Sequence, residues 1–331
     1  MLVLGVETSC DETSAGVVRD GSEIISNIIL SQEIHERYGG VVPEIASRIH
    51  ITELVGIIEK ALAKAEIKIA DLDGLAVTHG PGLVGCLLVG LSFVKSVYMA
   101  TGIPFYGVNH LEGHIFAGKL EHPNLVTPHV ALVASGGHSN LYVVEEWGKY
   151  KLLGATRDDA PGEAFDKVAK LLGLGYPGGP AIERAAGNGD RQFAKLPRAQ
   201  MGKDSYEFSF SGLKTAVAIY LQDKSPEFLD KHRADLAASF QDAAVEVLVN
   251  KTLMAAEKIG VRQVSVTGGV ARNKRMRELF LERKPDNLEV FFPSPELCTD
   301  NGAMIAACGA FHLQRGEASK LDLNAIPYLE L

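Results

Sequence analysis

A two-lobed α/β fold with a duplicated sheet plan is predicted by three features of this sequence. Its 331 residues suffice for about two domains at roughly 100–200 residues each. Each half opens on a run of short strand patterns. Each half also carries a later strand that ends on a glycine turn and runs into a helix.

The first half begins with strand patterns at residues 2–7, 14–19 and 23–30. The turn at 8–13 is rich in small hydroxyls and carboxylates. Asp20-Gly21 between apolar runs is a hairpin signal. A helical pattern covers 49–65, followed by a strand at 74–78, the turn Gly80-Pro81-Gly82 and an apolar stretch at 83–100. Gly85, Gly90, Ser92, Lys95 and Ser96 interrupt that stretch, so it reads as a buried helix and not as a membrane span. The second half repeats the plan. A strand at 129–134 meets the small turn Ser135-Gly136-Gly137, and two more strand patterns lie near 140–145 and 150–155. Helices are expected at 163–172, 180–187 and 235–259, then a strand at 263–267, Gly268-Gly269 and a helix from 271 to 283. Residues 75–82 and 264–269 read as equivalents.

Glycine turns at strand ends let backbone N–H groups approach phosphate oxygens closely. Two such lobes around a nucleotide cleft make the actin/hexokinase-like architecture. Lobe I is assigned to residues 1–125, completed by a C-terminal helix and tail at 303–331, and lobe II to 126–302.

Hydrophobic residues make up 46% of the chain and charged residues 22%, enough apolar material for two cores. The net charge of −8 argues against unaided gripping of nucleic acid, which calls for a basic face. A nucleic-acid substrate is then held by local patches or with a partner's help. The segments 33–37 and 48–50, each with a histidine, are candidate patches, and Leu54, Ile57 and Ile58 are weighed between the core and a partner surface. The four cysteines form no C-x-x-C pair, which suits a reducing compartment. The first residues show no basic segment of the kind that opens a secretory signal. The expected location is cytoplasmic.

The sharpest local signal is HLEGH at 110–114. On a helix, His110 and His114 face the same side and can share one metal. Two ordinary hydrogen-bonded histidines are the alternative. Asp300, just before an apolar helix, is a third ligand or that helix's N-cap. A zinc protease is disfavoured, because Glu112 lies about 200° around the helix from His110. The segment 133–138 is a strand-to-turn cradle for a phosphate or carboxylate. Acidic side chains between Asp158 and Asp166 are candidates for a ribose, a metal or an amine. The turn at 176–180 offers a surface for a nucleotide, and Asn273 after Gly268-Gly269 offers a donor and an acceptor. Neither a P-loop motif nor the G-x-G-x-x-G fingerprint is present.

Taken together, these segments resemble the TsaD family, whose archaeal and eukaryotic relatives form the catalytic subunit of the KEOPS complex. The resemblance runs along nearly the whole chain. It rests on GVETSCDET at 5–13, GGVVPEIASR at 39–48, GPGLVG at 80–85, HLEGH at 110–114 and SGGH at 135–138. It also rests on GEAFDK at 162–167, YPGGP at 176–180, SFSGLK at 209–214 and CTDNG at 298–302. The bacterial branch fits best. SGGH replaces the archaeal SGGN, and Val133 stands where that branch has a tyrosine near the metal.

The resemblance implies an actin-like (ASKHA) fold. It implies transfer of a threonylcarbamoyl group from threonylcarbamoyl-AMP to N6 of adenosine 37 in tRNAs reading codons that begin with A, giving t6A and AMP. It implies one Fe2+ or Zn2+ on His110, His114 and Asp300. Donor contacts are implied at Val133, Ala134, Ser135, Gly136, Gly137, Asp166, Gly179, Glu183 and Asn273. At 183 many relatives carry Asp, so the longer Glu183 departs from the family pattern at this ribose contact. Asp11 and Glu12 are candidates for accepting the amine proton or positioning the adenine, against a structural role in the turn. The implied partners are tRNA, a TsaB-like actin-fold paralogue and a TsaE-like P-loop ATPase. A TsaC/Sua-type synthase would supply the adenylate, and no membrane is involved. The alternatives are a metal-dependent endopeptidase and a non-catalytic nucleotide-binding scaffold.

Overall fold

A computed structural model describes residues 1–199, 201–202 and 204–331. The chain runs β1 (Leu2–Glu7), β2 (Glu12–Arg19), β3 (Glu23–Ser31), α1 (Pro43–Lys64), β4 (Gly74–Gly80), α2 (Val84–Thr101), β5 (Phe105–Asn109) and α3 (His110–Glu121). It continues with β6 (His129–Ala134), β7 (Ser139–Glu146), β8 (Lys149–Ala155), α4 (Pro161–Leu171), α5 (Gly178–Ala186), α6 (Ser211–Leu221) and α7 (Pro226–Ile259). Last come β9 (Gln263–Thr267), α8 (Lys274–Arg283), β10 (Glu289–Phe291), α9 (Pro295–Cys298) and α10 (Gly302–Gln314).

The chain divides into two compact units, Met1–Leu125 with Glu296–Leu331, and Val126–Pro295. The return to the first unit falls at Glu296, ahead of the expected residue 303. Asn27 Nδ2 on β3 donates to Glu296 Oε1 at 3.3 Å, so the segment before α10 is already tied to the first sheet.

Each unit holds one five-stranded sheet, ordered β3-β2-β1-β4-β5 in the first and β10-β9-β6-β7-β8 in the second. Read from the hairpin edge, the two orders are the same. β1 pairs antiparallel with β2 and parallel with β4, and β6 does the same with β7 and β9. This is the duplicated plan the sequence predicts. Asp20 and Gly21 both take positive φ, 53° and 70°, as a tight hairpin turn of this composition requires.

Several elements differ from expectation. β5, β10 and α6 were not read from the sequence. α7 starts at Pro226, well before the expected residue 235, where Ser225 Oγ accepts from Phe228 N at 3.3 Å and caps it. The helix expected at 271–283 is a short 3-10 turn, Gly269–Arg272, followed by α8, with Asn273 capping the break. The stretch expected as a buried helix is only half covered. α2 buries Cys86, Leu87, Gly90, Leu91 and Val94, while Val84, Leu88 and Met99 are exposed. α2 is also the one described helix long and apolar enough to cross a membrane by length and composition. Leu54, Ile57 and Ile58 belong to the core, packed with Leu4, Val6, Leu75 and Val77.

The other face of the first sheet receives α10 at backbone contact. A Cβ on Gly5 would lie 2.2 Å from the Gly302 oxygen, and one on Gly302 would lie 2.2 Å from the Gly16 nitrogen. Ser14 Oγ accepts from Gly302 N at 2.8 Å, and Asn27 Oδ1 accepts from Ala303 N at 3.2 Å. Beyond α10 the tail runs along the strand ends. Ser319 N donates to Phe105 O at 2.7 Å and Ile326 N to His79 O at 2.8 Å, and Pro327 O accepts from Gly82 N at 3.1 Å. Asn109 Nδ2 donates to Glu330 O at 3.2 Å.

Gly5→Ala should cost about 1–3 kcal/mol, because α10 must retreat from a sheet it touches through backbone atoms. Urea unfolding followed by circular dichroism checks this, and an unchanged midpoint would show that the contact yields freely.

Candidate metal centre and glycine cradle

The metal candidate lies wholly in the first unit. β5 ends at Asn109, whose Oδ1 accepts from Leu111 N at 2.9 Å and Glu112 N at 3.4 Å. That cap starts α3 immediately, with His110 as its first residue and His114 one turn later. The two imidazoles stand edge to face, 4.7 Å between centroids. Asp300 Oδ1 lies 3.2 Å from His114 Nε2 and 3.6 Å from His110 Nε2. The three ligand atoms all fall within 4.8 Å of one another. The N-cap alternative for Asp300 fails, because Asn301 Oδ1 accepts from Met304 N at 2.9 Å and caps α10 instead.

Sequence reading missed Glu7. Its side chain is fully buried, with Oε1 accepting from Ser9 N and Oε2 from Thr78 Oγ1, both at 2.6 Å. Glu7 Oε2 also stands 3.0 Å from His110 Nδ1. A proton on Nδ1 is therefore held by a carboxylate, and Nε2 faces Asp300. Such a partner fixes the tautomer of a metal-ligating histidine. Glu7 left no signal in the sequence, since it ends a strand whose interior is uniformly buried.

The fit to a cation follows from this geometry. His114 is fully buried, and neither of its ring nitrogens has a well-directed hydrogen-bond partner among the described residues. Burial pushes its pKa down. Burial also opposes charge on His110, but Asp300 and Glu7 outweigh it and raise the imidazole to about 9. Two nitrogens and a carboxylate oxygen converging in a buried place suit a divalent ion with open positions.

Asp11 ends the turn from β1 to β2 and Glu12 opens β2, in the same unit. His50 holds this turn, with Nε2 2.9 Å from Cys10 O and Nδ1 2.8 Å from Thr13 Oγ1. Burial first, then the Asp11 and Asp300 charges, push the Glu12 carboxyl well above the usual carboxylate range. Burial also holds the Cys10 thiol well above its ordinary value, which leaves it neutral and a poor nucleophile. His50 and His35 are fully buried and joined through Gln32, with His35 Nε2 3.0 Å from Gln32 Oε1. They therefore contribute nothing to a surface patch for a phosphate backbone.

The second unit gathers the predicted donor-binding segments at the ends of β6 and β9. Val133 and Ala134 are buried strand residues, and the chain turns out at Ser135, Gly136 and Gly137. Gly162 N donates to Ser135 O at 3.3 Å and Glu163 N to Gly136 O at 3.2 Å. A Cβ on Gly162 would lie 2.7 Å from Gly136 Cα, and one on Gly268 would lie 2.3 Å from Ala134 O. Asp166 Oδ1 accepts from Gly178 N at 2.6 Å and so fixes the turn that starts α5. Gly179 is the second residue of α5, and Glu183 lies one turn on, partly exposed. The space around Gly136, Gly137, Gly179 and Gly269 is open, so a ligand can meet their backbone.

Two expectations change here. Asn273 is largely committed to the protein, its Oδ1 accepting from Met276 N at 3.0 Å and its Nδ2 donating to Gln241 Oε1 at 2.8 Å. One lone pair and one amide hydrogen are left over. Asp158 and Asp159 hold other parts of the unit. Asp158 Oδ1 accepts from Phe210 N at 2.8 Å and Ser211 N at 3.2 Å, while Asp159 pairs with Lys167 at 3.0 Å and Lys214 at 2.6 Å. They anchor the segment 209–214 against α4.

Glu7→Gln should weaken divalent-metal binding about 10–100-fold, as loss of a histidine's carboxylate partner does elsewhere. Chelator competition measures it, and wild-type affinity would deny Glu7 this role.

Comparisons with known proteins agree on one family. Residues 23–307 match the family model described as TsaD: tRNA N6-adenosine threonylcarbamoyltransferase. A protein of Caldicellulosiruptor bescii with that enzyme name is 50% identical over 336 residues, covering 100% of this chain and 98% of its own. One from Syntrophotalea carbinolica is 51% identical over 327 residues, covering 98% and 95%. Among solved structures, HypF of T. kodakarensis superposes with a TM-score of 0.62 at 15% identity, over 97% of this chain and 49% of that one. Component A of the Acidaminococcus fermentans (R)-2-hydroxyglutaryl-CoA dehydratase gives 0.56 at 15% identity, over 95% and 99%. These likenesses show the actin/hexokinase-like (ASKHA) fold.

Proposed function

This chain belongs to the TsaD family of tRNA N6-adenosine threonylcarbamoyltransferases, and on that premise we propose that His110, His114 and Asp300 hold the divalent ion of that reaction. The observation that carries the assignment is the buried pair of imidazoles facing one carboxylate oxygen, with Glu7 fixing the tautomer of His110. The enzyme transfers the threonylcarbamoyl group from threonylcarbamoyl-AMP to N6 of adenosine 37 in tRNAs reading ANN codons.

An exocyclic adenine amine is a weak nucleophile, because its lone pair is delocalised into the ring. It needs an activated acyl carbon held in place. N6 bonds to the carbamoyl carbon, the bond from that carbon to the phosphate oxygen breaks, and AMP departs with the electron pair. The N6 proton passes to a carboxylate, for which Asp11 and Glu12 are the candidates in the first unit. The bound ion, Fe2+ or Zn2+, supplies Lewis acidity toward an oxygen of the donor. In the second unit the open backbone at Gly136, Gly137 and Gly179 supplies N–H groups for the adenylate, and Val133, Ala134 and Ser135 set that turn from the strand, the Ser135 amide donating to His138 O at 2.8 Å. Asp166 positions the turn before Gly179. Glu183 reaches for the ribose, and Asn273 contributes its remaining hydrogen-bonding capacity.

A peptidase reading is not favoured. Glu112, the residue such a mechanism would need beside the metal, points its carboxylate at His312 Nε2, 3.0 Å away. We place this tRNA-modifying chain in the cytoplasm.

The partner reading shifts to different residues from those first considered. Ile51 and Val55 on α1 are 66% and 52% exposed, and Val84 and Leu88 on α2 are 52% and 43% exposed. α1 and α2 are neighbours, with Ser47 beside Gly85. Together they present an apolar face that suits a TsaB-like paralogue. A TsaE-like P-loop ATPase and a TsaC/Sua-type synthase complete the set, and shared tRNA binding accords with the charge of −8.

His114→Ala should remove the ion and abolish t6A formation in a reconstituted assay with tRNA, threonine, bicarbonate and ATP, while circular dichroism stays native. Full metal content in that variant by elemental analysis would sink the ligand assignment. Ile51→Glu with Val55→Glu should weaken the complex with the paralogue at least tenfold in calorimetry and leave metal content unchanged. Unaltered affinity would move the interface elsewhere.

A further inference from the structure

The residue that excludes a peptidase has neighbours of its own. α10 presents Cys308 and His312 one turn apart, and Glu112 reaches them from α3. Their ligand atoms all lie within 4.8 Å of one another. Glu112 is 4% exposed, Cys308 0% and His312 7%. On the far side of the imidazole, Nδ1 stands 2.6 Å from Glu317 Oε2, and Arg315 Nε holds Glu317 Oε1 at 2.8 Å. The Tyr106 ring stacks on His312 at 4.2 Å and 10°. This is the pattern seen around His110. A histidine offers Nε2 to a shared centre while a carboxylate fixes its other nitrogen.

We infer that Glu112, Cys308 and His312 form a second metal site, for a zinc-class ion, separate from the His110–His114–Asp300 centre.

Two arguments support it. The first is donor type. Thiolate, imidazole and carboxylate together suit zinc and disfavour magnesium or calcium, which take oxygen donors alone. The second is preorganisation. The i, i+4 spacing on α10 and the Glu317–Nδ1 contact set two ligands before any ion arrives.

The test uses the full chain, stripped with a chelator, kept reduced and titrated with Co2+. Cobalt bound to a thiolate gives a near-ultraviolet charge-transfer band, and a site of two imidazoles and a carboxylate does not. Wild type should bind two equivalents, one of them with the band. Cys308→Ala should lose the band and one equivalent, His312→Gln should do the same, and His114→Ala should lose the other equivalent and keep the band. Circular dichroism confirms that each variant is folded. A single equivalent in wild type, or a band that survives Cys308→Ala, overturns the inference.

Discussion

The contact between α10 and the centre of the first sheet is the constraint on which the rest of this unit depends. Gly302 meets Gly16 and Gly5 through backbone atoms, so the helix lies closer to the strands than side chains of ordinary size allow. That approach decides where the residues before α10 come to rest. It brings Asp300, from the far end of the chain, beside two histidines on α3. It also turns Cys308 and His312 toward Glu112 on the same helix. Glycine and alanine along α10 are therefore a requirement of the proposed ligand geometry as much as of packing. A bulkier residue at the contact would displace ligands that it never touches.

Negative charge is the second organising fact. Glu7, Asp11, Glu12 and Asp300 crowd the ends of β1 and α3, and the rise in the Glu12 carboxyl records burial first and then the repulsion of its acidic neighbours. Only a cation relieves such crowding without giving up the carboxylates. The second unit uses its acids differently. Asp158, Asp159 and Asp166 each bind the protein's own amides or ammonium groups, and they hold open a cradle made of backbone. One unit concentrates charge on a point and the other spreads N–H groups over a surface.

Much of this was legible in the sequence, for physical reasons that differ by element. The strands at 2–7 and 129–134 were legible because apolar runs were bounded by turn residues. His110 and His114 were legible because helical spacing alone puts them on one face. β5 and β10 were not, since short strands paired in parallel carry neither alternation nor a hairpin turn. The first part of α7 was hidden by its polar, half-exposed residues. The extended helix reading at 271–283 overlooked that Asn273 caps a new start. Asp300 was ambiguous because ligand and N-cap look alike in sequence, and Asn301 decided the matter only in three dimensions. Glu7 was invisible, because a buried carboxylate inside a strand acquires meaning only from a histidine brought to it by a different strand.

α10 has a further consequence for the order in which this protein is made. The ribosome delivers α3 early, then the whole of residues 126–295, and only afterwards Asp300 and α10. Domains tend to fold as they emerge from the N-terminus. The first sheet must then wait, with its central glycines uncovered and its two histidines lacking their carboxylate, until the second unit has been synthesised. Capture of the proposed ion at His110 and His114 would thereby be a late event in the life of the nascent chain, timed by translation itself.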